Sequence, residues 1–249
     1  MSITFQNVTK SFDNAVALQG FSFEFKKGRT SVLIGSSGCG KSTLLRLIVG
    51  LIKQDSGTIL IEDKLPEKSN LSSLRKKIGY VIQEGGLFPH LNTKENVSLM
   101  AKYFGWNETK IGNRINELTE LSKFKEDLLN RYPSELSGGQ RQRVSLMRAL
   151  MLDPEFLLLD EPLGSLDPLI RYELQEDLKN IFERLRKTVI LVTHDLNEAV
   201  FFADEIVLMK EGRIIQKGSI NEMIKFPSAP FVTRFINAQR SEINFNNEN

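Results

Sequence analysis

Residues 30–51 read TSVLIGSSGCGKSTLLRLIVGL. The first five are an apolar run of strand length, and from Leu44 onward the apolar residues recur at helical spacing. Between them, Gly35-Ser36-Ser37-Gly38-Cys39-Gly40-Lys41-Ser42-Thr43 fits the pattern G-x-x-x-x-G-K-S/T. In that setting the glycines permit a tight loop whose N–H groups turn inward toward phosphate oxygens. Lys41 reaches the outer phosphates and Ser42 is placed to ligate magnesium. An ordinary strand-to-helix turn would not need Gly-Lys-Ser in that order at the helix start.

Working outward, the runs at 78–82 (IGYVI), 156–159 (FLLL) and 188–192 (TVILV) are nearly continuous apolar rather than alternating, which suits strands of a parallel sheet buried on both faces. Helix-period segments lie at 41–50, 141–152, 168–185 and 196–203. The third opens with Asp167 as an N-cap and Pro168 at the first helical position. Strands and helices alternate, so the expected class is α/β. The first 30 residues are partly alternating, in ITFQNVTKSF and ALQGFSFEF, and predict antiparallel strands joined by 56–62. The stretch 87–151 has no strand run but has helical segments at 93–104, 108–121 and 141–150. It reads as a helical insertion between two parts of one sheet. The expected organisation is one domain over 1–240, with 1–86 and 152–240 as core, 87–151 as helical subdomain and 241–249 as a loose polar tail.

Composition narrows the classes. The chain has 249 residues, enough to bury about 70 to 75% of the surface its unfolded form exposes. Its 33 Lys+Arg against 31 Asp+Glu leave a net charge of +2, which argues against a generic polyanion-binding surface. The single cysteine, Cys39, has no internal partner for a disulfide. The N-terminus lacks the apolar stretch of a secretory signal. The longest apolar stretch, 44–52, is broken by Arg46 and far short of the roughly 20 residues a spanning helix needs.

Two further motifs carry chemistry. The run FLLLDE places Asp160 and Glu161 at the end of an otherwise apolar strand. In doubly wound sheets ligands collect beyond the carboxyl ends of strands, where Asp160 suits a magnesium shell and Glu161 an attacking water. The plainer alternative is that both begin a solvated loop. These motifs leave nucleotide kinases, GTPases, helicases and transport ATPases open. The pentapeptide Leu136-Ser137-Gly138-Gly139-Gln140 then puts a serine and paired glycines at a helix N-terminus, a second anion site. A plain serine cap would explain Ser137, but not two glycines plus Gln140.

With LSGGQ in view, the sequence resembles the ATP-binding-cassette ATPases from about Ile3 to Phe235. The resemblance implies a RecA-like P-loop core with an N-terminal antiparallel β-subdomain and an inserted α-helical subdomain. Through it, 35–43 corresponds to the Walker A loop, 156–161 to Walker B, Gln83 to the lid glutamine and Ser165-Leu166-Asp167 to the D-loop. His194 corresponds to the switch histidine. Phe12 stands where an aromatic stacks on adenine, a position often filled by Tyr. Outside the resemblance, His194 reads as a turn histidine before a helix capped by Asp195, with Glu198 as in a capping box. Gln83 reads as a strand-end residue, and Phe12 as core. The cofactors implied are ATP and Mg2+, the metal held by Ser42, Gln83 and Asp160. Glu161 is the implied base.

In this family the signature of one subunit faces the Walker A loop of another. One copy of each motif therefore implies a homodimer sandwiching ATP, or a similar second chain. The segment IGYVIQEGGLFPHLNTKENV and the stretch DEPLGSLDPLIRYELQ resemble the ATPases of osmoprotectant importers serving glycine betaine, choline and carnitine. Importers of polar amino acids, polyamines and sulfate carry related segments, and an exporter accessory ATPase is a rival. The resemblance implies a peripheral subunit on the cytoplasmic face of the plasma membrane, paired with an integral-membrane permease and, through it, a solute-binding protein. Leu87, Phe88 and Pro89 are the expected permease contact, or else cover for the insertion's own core. A nucleic-acid partner is not expected. Many osmoprotectant ATPases continue into paired regulatory domains, whereas here fourteen residues follow Phe235.

Overall fold

The structure is a computed structural model. It describes residues 2–244 except Asn14, Lys68, Glu84 and Ser165, with side chains described up to Gln239. The chain divides into two compact units, one formed by Met1–Glu67 with Ile190–Asn249, the other by Lys68–Val189.

The first unit opens with strands β1 (Ile3–Phe12), β2 (Ala15–Phe25) and β3 (Thr30–Gly35), helix α1 (Lys41–Ile48) and strand β4 (Ser56–Ile61). The second unit holds α2 (Leu71–Lys76), β5 (Ile78–Val81), α3 (Thr93–Tyr103), α4 (Glu108–Leu121), α5 (Gly138–Leu150), β6 (Phe156–Asp160) and α6 (Pro168–Leu185). Strand β7 (Thr188–Thr193) straddles the division. Helix α7 (Leu196–Phe202), strands β8 (Glu205–Lys210) and β9 (Arg213–Gly218), and helices α8 (Ile220–Lys225) and α9 (Pro230–Asn244) return to the first unit.

In the first unit β1 pairs antiparallel with both β2 and β4, in the order β2-β1-β4, as the alternation at the N-terminus predicts. Phe5, Phe21, Phe23 and Phe25 share the buried face. Phe5 meets Phe21 edge-on at 5.4 Å, and Phe23 meets Phe25 at 4.8 Å. Each such pair adds about 1 kcal/mol beyond the area it buries. β3 is buried along its whole length and runs parallel to β8, with Val32 opposite Ile206 and Gly35 opposite Met209. β9 closes the edge antiparallel to β8. Helix α9 continues past Ser241, where the polar tail is expected to begin. Residues 245–249 lie outside the described residues.

In the second unit β5 and β6 pair in parallel, Ile78 opposite Phe156, and β6 is buried throughout. Among the described residues, 87–151 contains no strand. Helices α4 and α6 have the expected bounds, and α3 stops one residue short of expectation. α5 starts at Gly138, three residues before the periodic segment, because Ser137 caps it. The Asp167 carboxylate accepts from the Ile170 N–H at 3.1 Å and Pro168 occupies the first turn, so the cap chemistry of α6 is as expected. Asp177 on α6 is buried and takes Arg143 of α5 at 2.6 Å and Lys123 at 2.7 Å. Arg143 also donates to the Ser122 carbonyl at 2.6 Å, which fixes α5 against the end of α4.

Candidate functional site

The glycine-rich loop is built by steric necessity. Gly40 sits at φ +102°, and a Cβ there would lie 2.2 Å from the Ala17 carbonyl oxygen. A Cβ on Gly35 would lie 2.2 Å from the Met209 carbonyl oxygen. Only glycine lets the loop press against β2 and the end of β8. The Gly212 N–H, in the β8–β9 turn, braces it further by donating to the Cys39 carbonyl at 3.2 Å. Ser36, Ser37 and Gly38 are exposed, whereas Cys39 and Lys41 are buried. The Lys41 ammonium donates to the Gly35 carbonyl at 2.8 Å and to Ser36 O at 3.2 Å, which folds it into the loop. Ser42 and Thr43 occupy the first turn of α1. That helix has no side-chain cap and no acidic residue in its first turn. Such a helix start leaves amide donors directed at an anion.

Also in the first unit, His194 is exposed in the turn between β7 and α7. Asp195 caps the helix by accepting from the Asn197 N–H at 2.7 Å. Glu198 is buried and receives the Thr193 hydroxyl at 2.6 Å. The glutamate thus serves the strand end, and the structure gives α7 no capping box. Phe12, expected as a base platform or as core, is exposed by 43% and has Lys10 Nζ 5.3 Å from its ring centroid. The Lys10 ammonium and the Ser11 N–H hold the Asp55 carboxyl below its usual range.

In the second unit Asp160 ends β6, buried to 4% exposure. Glu161 follows at φ +46°, a left-handed conformation that is costly for a residue with a side chain. Its carbonyl accepts from the Gly164 N–H at 3.3 Å. Ser165 lies outside the described residues, so of the expected D-loop only Leu166 and Asp167 are placed.

The signature segment and the start of α6 come together. Ser137 caps α5 reciprocally with Gln140, the Ser137 N–H donating to Gln140 Oε1 at 2.8 Å and the Gln140 N–H to Ser137 Oγ at 3.3 Å. A Cβ on Gly139 would stand 2.5 Å from Ile170 Cγ2, and one on Gly138 3.1 Å from Leu166 Cδ2. Gln140 thus has a part in the cap, and Gly139 packs closely against the first turn of α6. Ser137 itself is exposed.

Gln83 is exposed in the turn after β5. Its loop is fastened to α5 by residues that the sequence reading misses. Ser145 Oγ donates to the Gly85 carbonyl at 2.6 Å, and Arg148 donates to Gly85 O and Gly86 O, both at 2.9 Å. Burial pulls the Arg148 guanidinium below its ordinary value. Beyond them Asn96, fully buried, accepts from the Phe88 N–H at 2.8 Å and donates to the carbonyls of Phe88, Leu91 and Asn92. The available signal was three polar residues on the inner faces of α3 and α5. Phe88 and Pro89 are exposed and Leu87 is half-buried, and the Phe88 ring meets His90 at 6.0 Å.

Among the described residues, no cluster of three or more His, Cys, Asp or Glu can hold a metal unaided. Ser42 in the first unit, and Gln83 and Asp160 in the second, each carry a side-chain oxygen of the hard type that magnesium takes. The glycine-rich loop with its buried lysine and uncapped helix defines a phosphate-binding protein of the P-loop class. The sequence model of the family described as ABC transporter matches residues 18–164, and the chain belongs to that family. It is 43% identical over 224 residues to the glycine betaine/carnitine/choline transport ATP-binding protein OpuCA of Bacillus subtilis (strain 168), an alignment that covers 90% of this chain and 59% of that protein. It is 44% identical over 241 residues to the probable sulfate/thiosulfate import ATP-binding protein CysA of Chlorella vulgaris, covering 95% of this chain and 99% of that one. Among solved structures, the dimeric post-hydrolysis state of the ATP-binding cassette MJ0796 bound to ADP and Pi matches with TM-score 0.79 and 33% identity, covering 88% of this chain and 98% of that one. The chain thus spans about three fifths of the length of the OpuCA relative.

Proposed function

We propose that this chain is the ATP-hydrolysing subunit of an importer and energises uptake of a quaternary-amine osmoprotectant such as glycine betaine or choline. The observation that carries the reading is its 43% identity over 90% of its length to a protein named for glycine betaine, carnitine and choline transport. The loop amides, Lys41, Ser42 and Thr43 bind the phosphates, and Phe12 offers its exposed ring to the base. Ser42, Asp160 and Gln83 are the residues that would hold magnesium, which would supply neutralisation of the phosphate charge. Glu161 accepts the proton of the attacking water, and His194 orients that water and the γ-phosphate. A second copy contributes its exposed Ser137, the amides of Gly138 and Gly139, and Asp167, so two chains sandwich each nucleotide. Among the described residues no helix is long and apolar enough to cross a membrane. In this reading the channel belongs to a permease, and this subunit sits on its cytoplasmic face. A cavity of about 830 Å³ lined by Ile82, Phe88, Met100, Tyr103 and Phe104 suits an apolar permease helix.

A second reading, uptake of sulfate, is favoured by the 44% identity to the sulfate/thiosulfate relative. Uptake of labelled glycine betaine, choline and sulfate by cells lacking this gene separates the two. Loss of betaine or choline uptake, restored by the intact gene, supports the first reading. Loss of sulfate uptake alone overturns it in favour of the second.

A further inference from the structure

The side-chain amide of Gln239, on α9, is engaged at both ends by one short turn. Its Oε1 accepts from the Leu196 N–H at 2.7 Å, and its Nε2 donates to the His194 carbonyl at 2.6 Å. These partners lie 43 and 45 residues away in sequence. A backbone N–H only donates and a carbonyl only accepts, so the two contacts fix the orientation of the amide without ambiguity. Leu196 is the first residue of α7, and its N–H is one of the donors a helix start leaves without an intrahelical partner.

Two neighbouring backbone donors of the turn are met locally. The Asp195 N–H donates to Thr193 Oγ1 at 3.1 Å, and the Asn197 N–H donates to Asp195 Oδ1 at 2.7 Å. Thr193 is locked in turn by its hydroxyl bond to buried Glu198. Gln239 thus holds the backbone on both sides of Asp195. A bidentate amide fixes the peptide planes on either side of Asp195, and hence the position of the His194 Cα, which lies in the first of them.

We infer that Gln239 is a positioning residue for hydrolysis, through which the C-terminal helix sets the placement of His194. The inference rests on the reading of His194 as the group that orients the γ-phosphate and water. Nucleotide binding is assigned to the glycine-rich loop, so losing the amide should slow turnover without weakening binding.

The test is steady-state ATP hydrolysis by the full chain carrying Gln239→Met, Gln239→Glu or His194→Ala, and by the double variant His194→Ala/Gln239→Met. Gln239→Met nearly preserves shape and removes both bonds. Gln239→Glu keeps an acceptor for Leu196 but sets a carboxylate oxygen against the His194 carbonyl. The expected result is a fall in kcat of about 10- to 100-fold in both single Gln239 variants, the order expected for misplacing a catalytic group by about 1 Å. KM for ATP should stay within about twofold, the pattern of an interaction realised only in the transition state. In the His194→Ala background the Gln239→Met change should have no further effect, because both act through one group. Amide exchange of Gln239→Met should rise at 194–197, with the protection of the β3–β8 pair unchanged.

Wild-type kcat in Gln239→Met, beside a slow His194→Ala enzyme, would overturn the inference and leave the reading of His194 standing. Equal losses from Gln239→Met in both backgrounds would also overturn it, since the glutamine would then act through the fold at large. A His194→Ala chain with wild-type kcat would overturn the reading of His194 itself and the inference with it.

Discussion

The hydroxyl of Ser145, on the helix that follows the signature segment, donates to the carbonyl oxygen of Gly85, 60 residues away in sequence, at 2.6 Å. Arg148, one turn along α5, shares that carbonyl and takes the next one, Gly86 O. The loop after Gln83 is thereby tied to α5. Removing Ser145 Oγ leaves Gly85 O a remaining partner, so Ser145→Ala should cost only about 1 kcal/mol. Arg148→Met removes both of its bonds and leaves the Gly86 carbonyl without that donor, so a loss of about 2 kcal/mol is expected. Urea unfolding of the two variants checks the order, and equal losses would deny Arg148 its dominant part.

Phe88 stands 42% exposed beside the cavity assigned to a permease helix, with Arg148 5.8 Å from its ring centroid. An exposed aromatic carries little of the fold, so Phe88→Asp should leave melting temperature and ATP hydrolysis near wild type. Solute uptake should fall by at least about tenfold, as for a central aromatic of an interface. Parallel loss of hydrolysis and uptake would mean the residue supports the fold.

Gly40 and Gly38 form a matched pair. Both have positive φ, but a Cβ on Gly40 meets the Ala17 carbonyl at 2.2 Å, whereas one on Gly38 meets nothing within 4 Å. Gly40→Ala should destabilise by more than about 2 kcal/mol, strain and clash adding together, and Gly38→Ala by about 1 kcal/mol from its backbone conformation alone. Thermal unfolding of both variants measures the difference, and equal shifts would contradict the close packing of the loop against β2.

Asp177 gives the pH dependence. Burial raises its carboxyl, but the hydrogen bonds from Lys123 and Arg143 outweigh it, so the group titrates below its ordinary value. A carboxyl lowered by folding contributes stability that is present above the unfolded value, about 3.9, and is lost as pH falls through the folded one. Asp177→Asn should therefore cost about 3 kcal/mol at pH 7 by leaving Arg143 unpaired, and should flatten the fall in stability below about pH 4. Lys123, 69% exposed, should matter by less than about 1 kcal/mol. Denaturation midpoints between pH 3 and 7 decide both points.

What the sequence made legible was local. Asp167-Pro168 announces the start of α6, and the strand–glycine loop–helix run at 30–51 sets the class of the first unit. The parts that escaped depend on pairing over distance. The run IVLM at 206–209 is as apolar as FLLL, yet only its register with Val32 makes it the strand beside the phosphate loop. Gln140 carries chemistry in the motif and cap geometry in the fold, and no spacing rule separates the two. Ser145, Arg148 and Asn96 are polar residues on inward helix faces whose partners are backbone carbonyls, which leave no trace in side-chain patterns. Gln239 serves a turn more than forty residues away, in a stretch with no motif of its own.

The central claim is that this chain hydrolyses ATP as half of a sandwich coupled to a permease. The Glu161→Gln variant, which removes the proposed base and is expected to lose about 10² to 10⁴ in turnover while keeping its phosphate loop, tests it most directly. Captured from detergent-solubilised membranes with ATP and magnesium, it should be recovered as a dimer bound to a multi-span permease, with the complex dispersing when ATP is withdrawn. A monomer that hydrolyses ATP at the wild-type rate, or one that brings down ribosomal or DNA-repair proteins instead of a permease, would contradict the account.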